Sequence, residues 1–151
     1  MFCTCHAGEG AGPESVADAV HTCGAQRIGH GTRLIEDPRL TDELAKNGIV
    51  IEACLTSNVQ THAAKDYASH PLRTYFERGL CVTLNTDNRL MSGTTLTAEY
   101  SHAAKELRFT MDELCTIARN GFESAFLPAG ERAALLADVD REFALLRAEA
   151  A

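Results

Sequence analysis

The sequence has 151 residues, 45% of them hydrophobic and 23% charged, and its 14 Lys and Arg against 21 Asp and Glu give a formal net charge of -7. That length predicts one globular domain rather than two, and the acidic balance argues against nucleic acid or an anionic membrane as partner, since both reward clustered cations. No apolar run approaches the roughly 18 residues that span a bilayer, and Met1-Phe2-Cys3-Thr4-Cys5-His6 lacks the basic-then-apolar order of a signal peptide, so a cytoplasmic location is expected.

In chain order, short apolar strands alternate with amphipathic helices. A strand ends near His6, and a glycine-rich turn from Gly8 to Gly12 leads into a helix that Pro13 opens and Gly24 closes. A very short strand follows over 27–30. Pro38 opens a second helix through Asn47, with Gly48 as its stop, before a nearly continuous apolar strand over 49–55 of the kind buried on both faces in parallel sheets. Pro71 opens another helix through Arg78, and a fourth strand covers 80–85. Beyond Asp87 the pattern is helical only, over about 96–107, 111–126 and 131–148, with Thr110 and Glu113 spaced as a capping box. The last helices are expected to close the end of the fold. No linker or repeat divides the chain. Six cysteines without framework spacing predict reduced, mostly buried thiols.

Four βα units are half of an eight-stranded barrel. The predicted fold is therefore α/β, the C-terminal half of a TIM-type barrel followed by helices, with the N-terminal half missing from residues 1–151. A half-barrel leaves strand edges and its interior bare, so either self-association or a missing N-terminal half is expected to cover them, or the chain is not stable alone.

The chemistry-bearing side chains cluster where strands end: His6 and Glu9, then His30, then Thr56-Ser57-Asn58, then Asn85-Thr86-Asp87-Asn88. Parallel barrels build their active sites at those ends. Imidazole and carboxylate can hold zinc, a further carboxyl can move protons, and a second imidazole can sit beside a nucleophile, which is the set a metal-assisted hydrolysis needs. The alternative is structural, with packed histidines bonded to backbone and Asp87 as a cap or turn former.

The strings themselves go further. His6-Ala7-Gly8-Glu9, Arg27-Ile28-Gly29-His30-Gly31 and Leu84-Asn85-Thr86-Asp87 resemble the signature blocks of adenosine deaminases, in that family's order and approximate spacing. The likeness extends through Ile51 to Asn58, through Glu99-Tyr100 and through Ser124 to Pro128. It implies a zinc-dependent hydrolase that converts adenosine or 2'-deoxyadenosine to inosine or its deoxy form and ammonia, with a purine nucleoside as small-molecule partner. Carried over, the resemblance puts zinc ligands on His6 and Asp87, the catalytic acid on Glu9, the active-site histidine on His30, and substrate contacts on Gly8 and Asn88. Glu9 would then protonate the purine ring nitrogen, and His30 would orient the attacking oxygen.

Two departures stand out. The family's other two zinc ligands form a His-x-His pair at the end of the first barrel strand, and this chain has none; its remaining histidines are His21, His62, His70 and His102. Asn88 stands where better-known members carry a second aspartate, but an amide also has a donor for a purine nitrogen. A related purine amidohydrolase, such as an adenine deaminase, or an inactive remnant of the fold are the other readings. Cys3-x-Cys5 lacks zinc-ribbon spacing. Gly8-x-Gly10-x-Gly12 fails as a dinucleotide loop because Pro13 takes the closing glycine's place. Arg27, Arg33 and Arg89 are expected to pair with acids rather than clamp a phosphate.

Overall fold

Four strands, β1 (Thr4–Ala7), β2 (Arg27–His30), β3 (Val50–Ala53) and β4 (Cys81–Leu84), form one sheet in sequence order, every pair parallel. The computed structural model describes residues 2–149. The crossovers carry α1 (Pro13–His21), α2 (Pro38–Lys46), the short α3 (Leu55–Gln60) and α4 (Leu72–Glu77). After β4 come α5 (Arg89–Ser92), α6 (Leu96–Glu106), α7 (Met111–Glu123) and α8 (Ala129–Glu149).

Local chemistry explains the starts. Pro13 and Pro38 occupy the first helical positions of α1 and α2, where a missing N–H costs nothing. Asp37 caps α2, its Oδ1 accepting from the N–H groups of Arg39 and Leu40 at 3.0 Å each. Thr110 and Glu113 complete the expected capping box on α7.

Ile28, Ile51 and Val82 point to one face of the sheet, where they are fully buried together with Val16, Leu34, Leu44, Leu72 and Ile117 from the covering segments. Alternation along each strand sends His6, Gly29, Glu52 and Thr83 to the other face. The core therefore lies between sheet and helices, and the polar face is turned toward what would be a barrel interior. Arg27 Nε donates to Glu52 Oε1 at 2.7 Å across that face, and the Arg27 guanidinium lies 4.5 Å from the Phe126 ring centroid.

Three expectations change. The third strand stops at Ala53 rather than running through residue 55, because Leu55 begins α3 and places Thr56, Ser57 and Asn58 in a buried helical turn. Buried Glu99 stabilises that turn: its Oε2 accepts from the Thr56 N–H at 3.1 Å and its Oε1 from Thr94 Oγ1 at 2.8 Å. Nor are the thiols mostly buried; all six are free, but only Cys54 is buried and Cys23 is exposed. Finally, α7 lies along β4, with Asn120 Nδ2 donating to the Val82 carbonyl at 3.0 Å, and α8 packs on α7 while leaving Leu145 and Leu146 exposed. Among the described residues no helix is long and apolar enough to cross a membrane.

Candidate active site

His6 sits one residue before the end of β1 and reaches over Gly29 of β2. A Cβ at Gly29 would lie 2.6 Å from His6 Cδ2, so only glycine admits the ring in this place. The ring is edge-on to His30, with centroids 4.8 Å apart and planes at 82°.

His30 ends β2 with φ at +69°, a left-handed conformation that a residue with a Cβ adopts at a cost of about 1–3 kcal/mol. That turn aims its ring into the mouth: Nε2 is 3.3 Å from His6 Nδ1 and 3.5 Å from Glu9 Oε2. On its other side Nδ1 is 3.0 Å from Asn58 Nδ2. Burial lowers the His30 pKa, and the Glu9 carboxylate opposes that shift.

Glu9 is half-buried just past β1, and its Oε1 accepts a hydrogen bond from Thr61 Oγ1 at 3.2 Å. Gly8 precedes it at φ +67°, packed so closely on Val16 and Gly31 that a side chain has no room. Its N–H donates to Ser15 Oγ at 2.9 Å and its carbonyl accepts from the Arg33 N–H at 2.7 Å. Both backbone groups of Gly8 are thus bonded within the chain.

Asp87, three residues beyond β4, also has a positive φ of 53°. Its Oδ2 accepts from Ser57 Oγ at 2.8 Å, which ties the carboxylate to α3. Asn88 caps α5 with Oδ1, accepting from the N–H groups of Leu90 and Met91 at 3.1 Å each, so only its amide NH2 remains to donate outward. A cavity of about 140 Å³ is lined by His6, His30, Cys54, Asn85 and Asp87. A second, of about 150 Å³, shares His6 and includes Glu9 and Ser15. Desolvation pushes the Cys54 thiol up to about 12, which makes it an unreactive wall of the first cavity.

His6, Glu9, His30 and Asp87 thus meet at one mouth. Arg33 pairs with Glu36 at 2.7 Å and Arg27 with Glu52, so neither is a phosphate clamp. The donor chemistry suits a metal, but the count does not close: among the described residues no group of three or more His, Cys, Asp or Glu side chains is placed to hold a metal ion. Catalytic zinc usually rests on three protein ligands. The residues described here do not form a complete zinc site alone.

Sequence reasoning missed His70. It is buried, its Nε2 lies 3.1 Å from Asn58 Oδ1, and its Nδ1 accepts the Leu72 N–H at 3.1 Å. The available signal was its place just before Pro71, where a helix start leaves an N–H to be satisfied.

The family model for adenosine deaminase matches residues 1–142. The chain belongs to the adenosine deaminase family. Adenosine deaminase from Aliivibrio fischeri is 47% identical over 132 residues, covering 87% of this chain and 40% of the relative. The Vibrio cholerae serotype O1 enzyme is 46% identical over 137 residues, covering 91% and 41%. The chain therefore spans about 40% of the length of the curated relatives it matches. Among solved structures, adenine deaminase from Arthrobacter aurescens superposes with a TM-score of 0.88 at 29% identity, covering 95% of this chain and 44% of that one. An amidohydrolase from Burkholderia ambifaria with bound zinc gives 0.89 at 25% identity, covering 99% and 42%. The four parallel strands and their helices are thus part of an amidohydrolase barrel.

Proposed function

We propose that this chain supplies the proton-transfer side of a zinc-dependent purine aminohydrolase, which converts adenosine and 2'-deoxyadenosine with water to inosine or deoxyinosine and ammonia in purine salvage. The observation that carries the proposal is the His30 Nε2 position, 3.3 Å from His6 and 3.5 Å from Glu9, at the mouth that Asp87 also lines. The curated relatives named above support adenosine as substrate.

His6 and Asp87 would each give one ligand, with the rest coming from a barrel half outside this chain. Zinc, when bound, lowers the pKa of water toward about 7 and so makes a nucleophile available at neutral pH. The remaining work falls to side chains described here. Glu9, steadied by Thr61, delivers a proton to the purine ring nitrogen, which leaves the adjacent amino-bearing carbon open to attack. His30 points its Nε2 at the same space and orients the incoming oxygen. Ser57 holds Asp87 in place, and the Asn88 amide offers a donor to the imidazole ring of the purine. Ammonia leaves from the carbon that gains oxygen. A soluble purine nucleoside in the cytoplasm is the proposed partner, with neither nucleic acid nor membrane involved.

A second reading, adenine as substrate, is favoured by the match to the Arthrobacter aurescens adenine deaminase. Assaying adenosine, adenine and adenosine monophosphate side by side separates them, in a complex of this chain with the N-terminal half of the Aliivibrio fischeri relative. Turnover of adenosine at least tenfold above the others supports the first reading. Preference for adenine replaces it with the second, and absence of all three activities marks the chain as an inactive remnant.

A further inference from the structure

Three buried side chains run in line from a helix start to the active-site mouth. His70 is 3% exposed, Asn58 0% and His30 2%, so water does not compete for their polar atoms. At the far end stands the Leu72 N–H, in the first turn of α4, which donates to His70 Nδ1 at 3.1 Å. A backbone N–H is a donor and nothing else. It therefore fixes the direction of every bond that follows.

With Nδ1 accepting, a neutral His70 carries its proton on Nε2, and burial keeps the ring neutral by lowering its pKa to about 3. Nε2–H must find an acceptor, and Asn58 Oδ1 lies 3.1 Å away. That orients the amide, a choice otherwise open to a flip. Asn58 Nδ2 is then turned to His30 Nδ1 at 3.0 Å and donates to it. His30 Nδ1 accepts, so its proton sits on Nε2, the atom beside His6 and Glu9.

We infer that His70 and Asn58 are positioning residues, a one-way relay that holds His30 in the Nε2–H tautomer and presents a hydrogen-bond donor to the reacting centre. The tautomer follows from the hydrogen-bond network alone; its catalytic consequence rests on the deaminase reading above. The reverse tautomer would turn a lone pair toward the Glu9 carboxylate and could not donate to an incoming oxygen. Asn is required at position 58 because one side must accept and the other donate. A carboxylate has the same shape but only accepts.

The test is histidine-selective 15N magic-angle-spinning NMR of the full chain, a method that tolerates self-association. In the parent, His30 and His70 should each show a bare Nδ1 and a protonated Nε2; a protonated Nδ1 on either ring overturns the relay. In Asn58→Asp, His30 Nδ1 should become protonated, and an unchanged His30 pattern overturns it as well. In complex with the complementing N-terminal half, Asn58→Asp should lower kcat for adenosine about 100-fold or more, as loss of a placed proton donor does, with KM within a few-fold. If the tautomer inverts while kcat stays within a few-fold, the catalytic role is overturned. An inactive parent complex counts against the deaminase reading, and the NMR still decides the relay.

Discussion

Gly29 lies flat under the His6 ring, with room for a hydrogen but not for a methyl group, whose carbon would stand 2.6 Å from Cδ2 and 3.1 Å from Nε2. The contact joins β1 to β2 at the level of the mouth and sets where the imidazole points. Gly29→Ala should displace the ring while leaving the strand intact, since the backbone there needs no glycine-only conformation. Zinc affinity of the complemented protein, measured by chelator competition, should fall about 10- to 100-fold, the range typical of losing a ligand's support, with unchanged far-ultraviolet circular dichroism.

Ser57 does for Asp87 what Gly29 does for His6. The 2.8 Å bond from Ser57 Oγ holds a carboxylate that sits on a left-handed residue at the solvent edge. Ser57→Ala should weaken zinc binding by a comparable factor, and Ser57→Thr should recover part of it by restoring the hydroxyl. Equal affinity in all three proteins would show that Asp87 needs no anchor.

Burial of His70 makes stability depend on pH. Its folded pKa of about 3 lies below the unfolded value near 6.5, so between these limits the unfolded chain binds a proton that the folded chain refuses. Stability therefore falls as pH drops from about 6.5 toward 3, by about 1.4 kcal/mol per pH unit from this group. Buried His30 adds to the loss with the same sign. Urea unfolding across this range should show the slope, and His70→Gln should flatten it. A parent whose stability is level between pH 6.5 and 4 would contradict the burial.

Among the described residues β1 and β4 each pair on one side only. Unpaired strand edges recruit other strands. The 151-residue chain by itself should self-associate, and sedimentation velocity should show species larger than 16.3 kDa. A single monomeric boundary at micromolar concentration would count against this.

Much of the scaffold was legible because its signals are local. Pro13 and Pro38 open helices through their own ring geometry, Thr110 and Glu113 cap one across three residues, and the strand at 27–30 matches β2. The strand ends that carry His6, His30 and Asp87 could be placed for the same reason. What could not be read depends on partners distant in sequence. Leu55 reads as the continuation of an apolar strand, and it takes distant partners such as Glu99, 43 residues beyond Thr56, to satisfy a buried helical turn there. His70 reads as an ordinary loop histidine until Asn58 and the Leu72 N–H surround it. Nothing in its neighbours' identities reveals that His30 lies at the other end of the same network.

The central claim is that Glu9 moves the proton and His6 with Asp87 helps to hold the metal. It is tested most directly by Glu9→Gln in the complex of this chain with the complementing N-terminal half, reading zinc content and adenosine turnover on the same sample. Gln keeps the size and a hydrogen-bonding group but has no acidic proton to deliver. The account predicts full zinc occupancy with kcat reduced about 100- to 10,000-fold, the usual worth of a general acid-base step. Turnover within a few-fold of the parent at full zinc occupancy would contradict it.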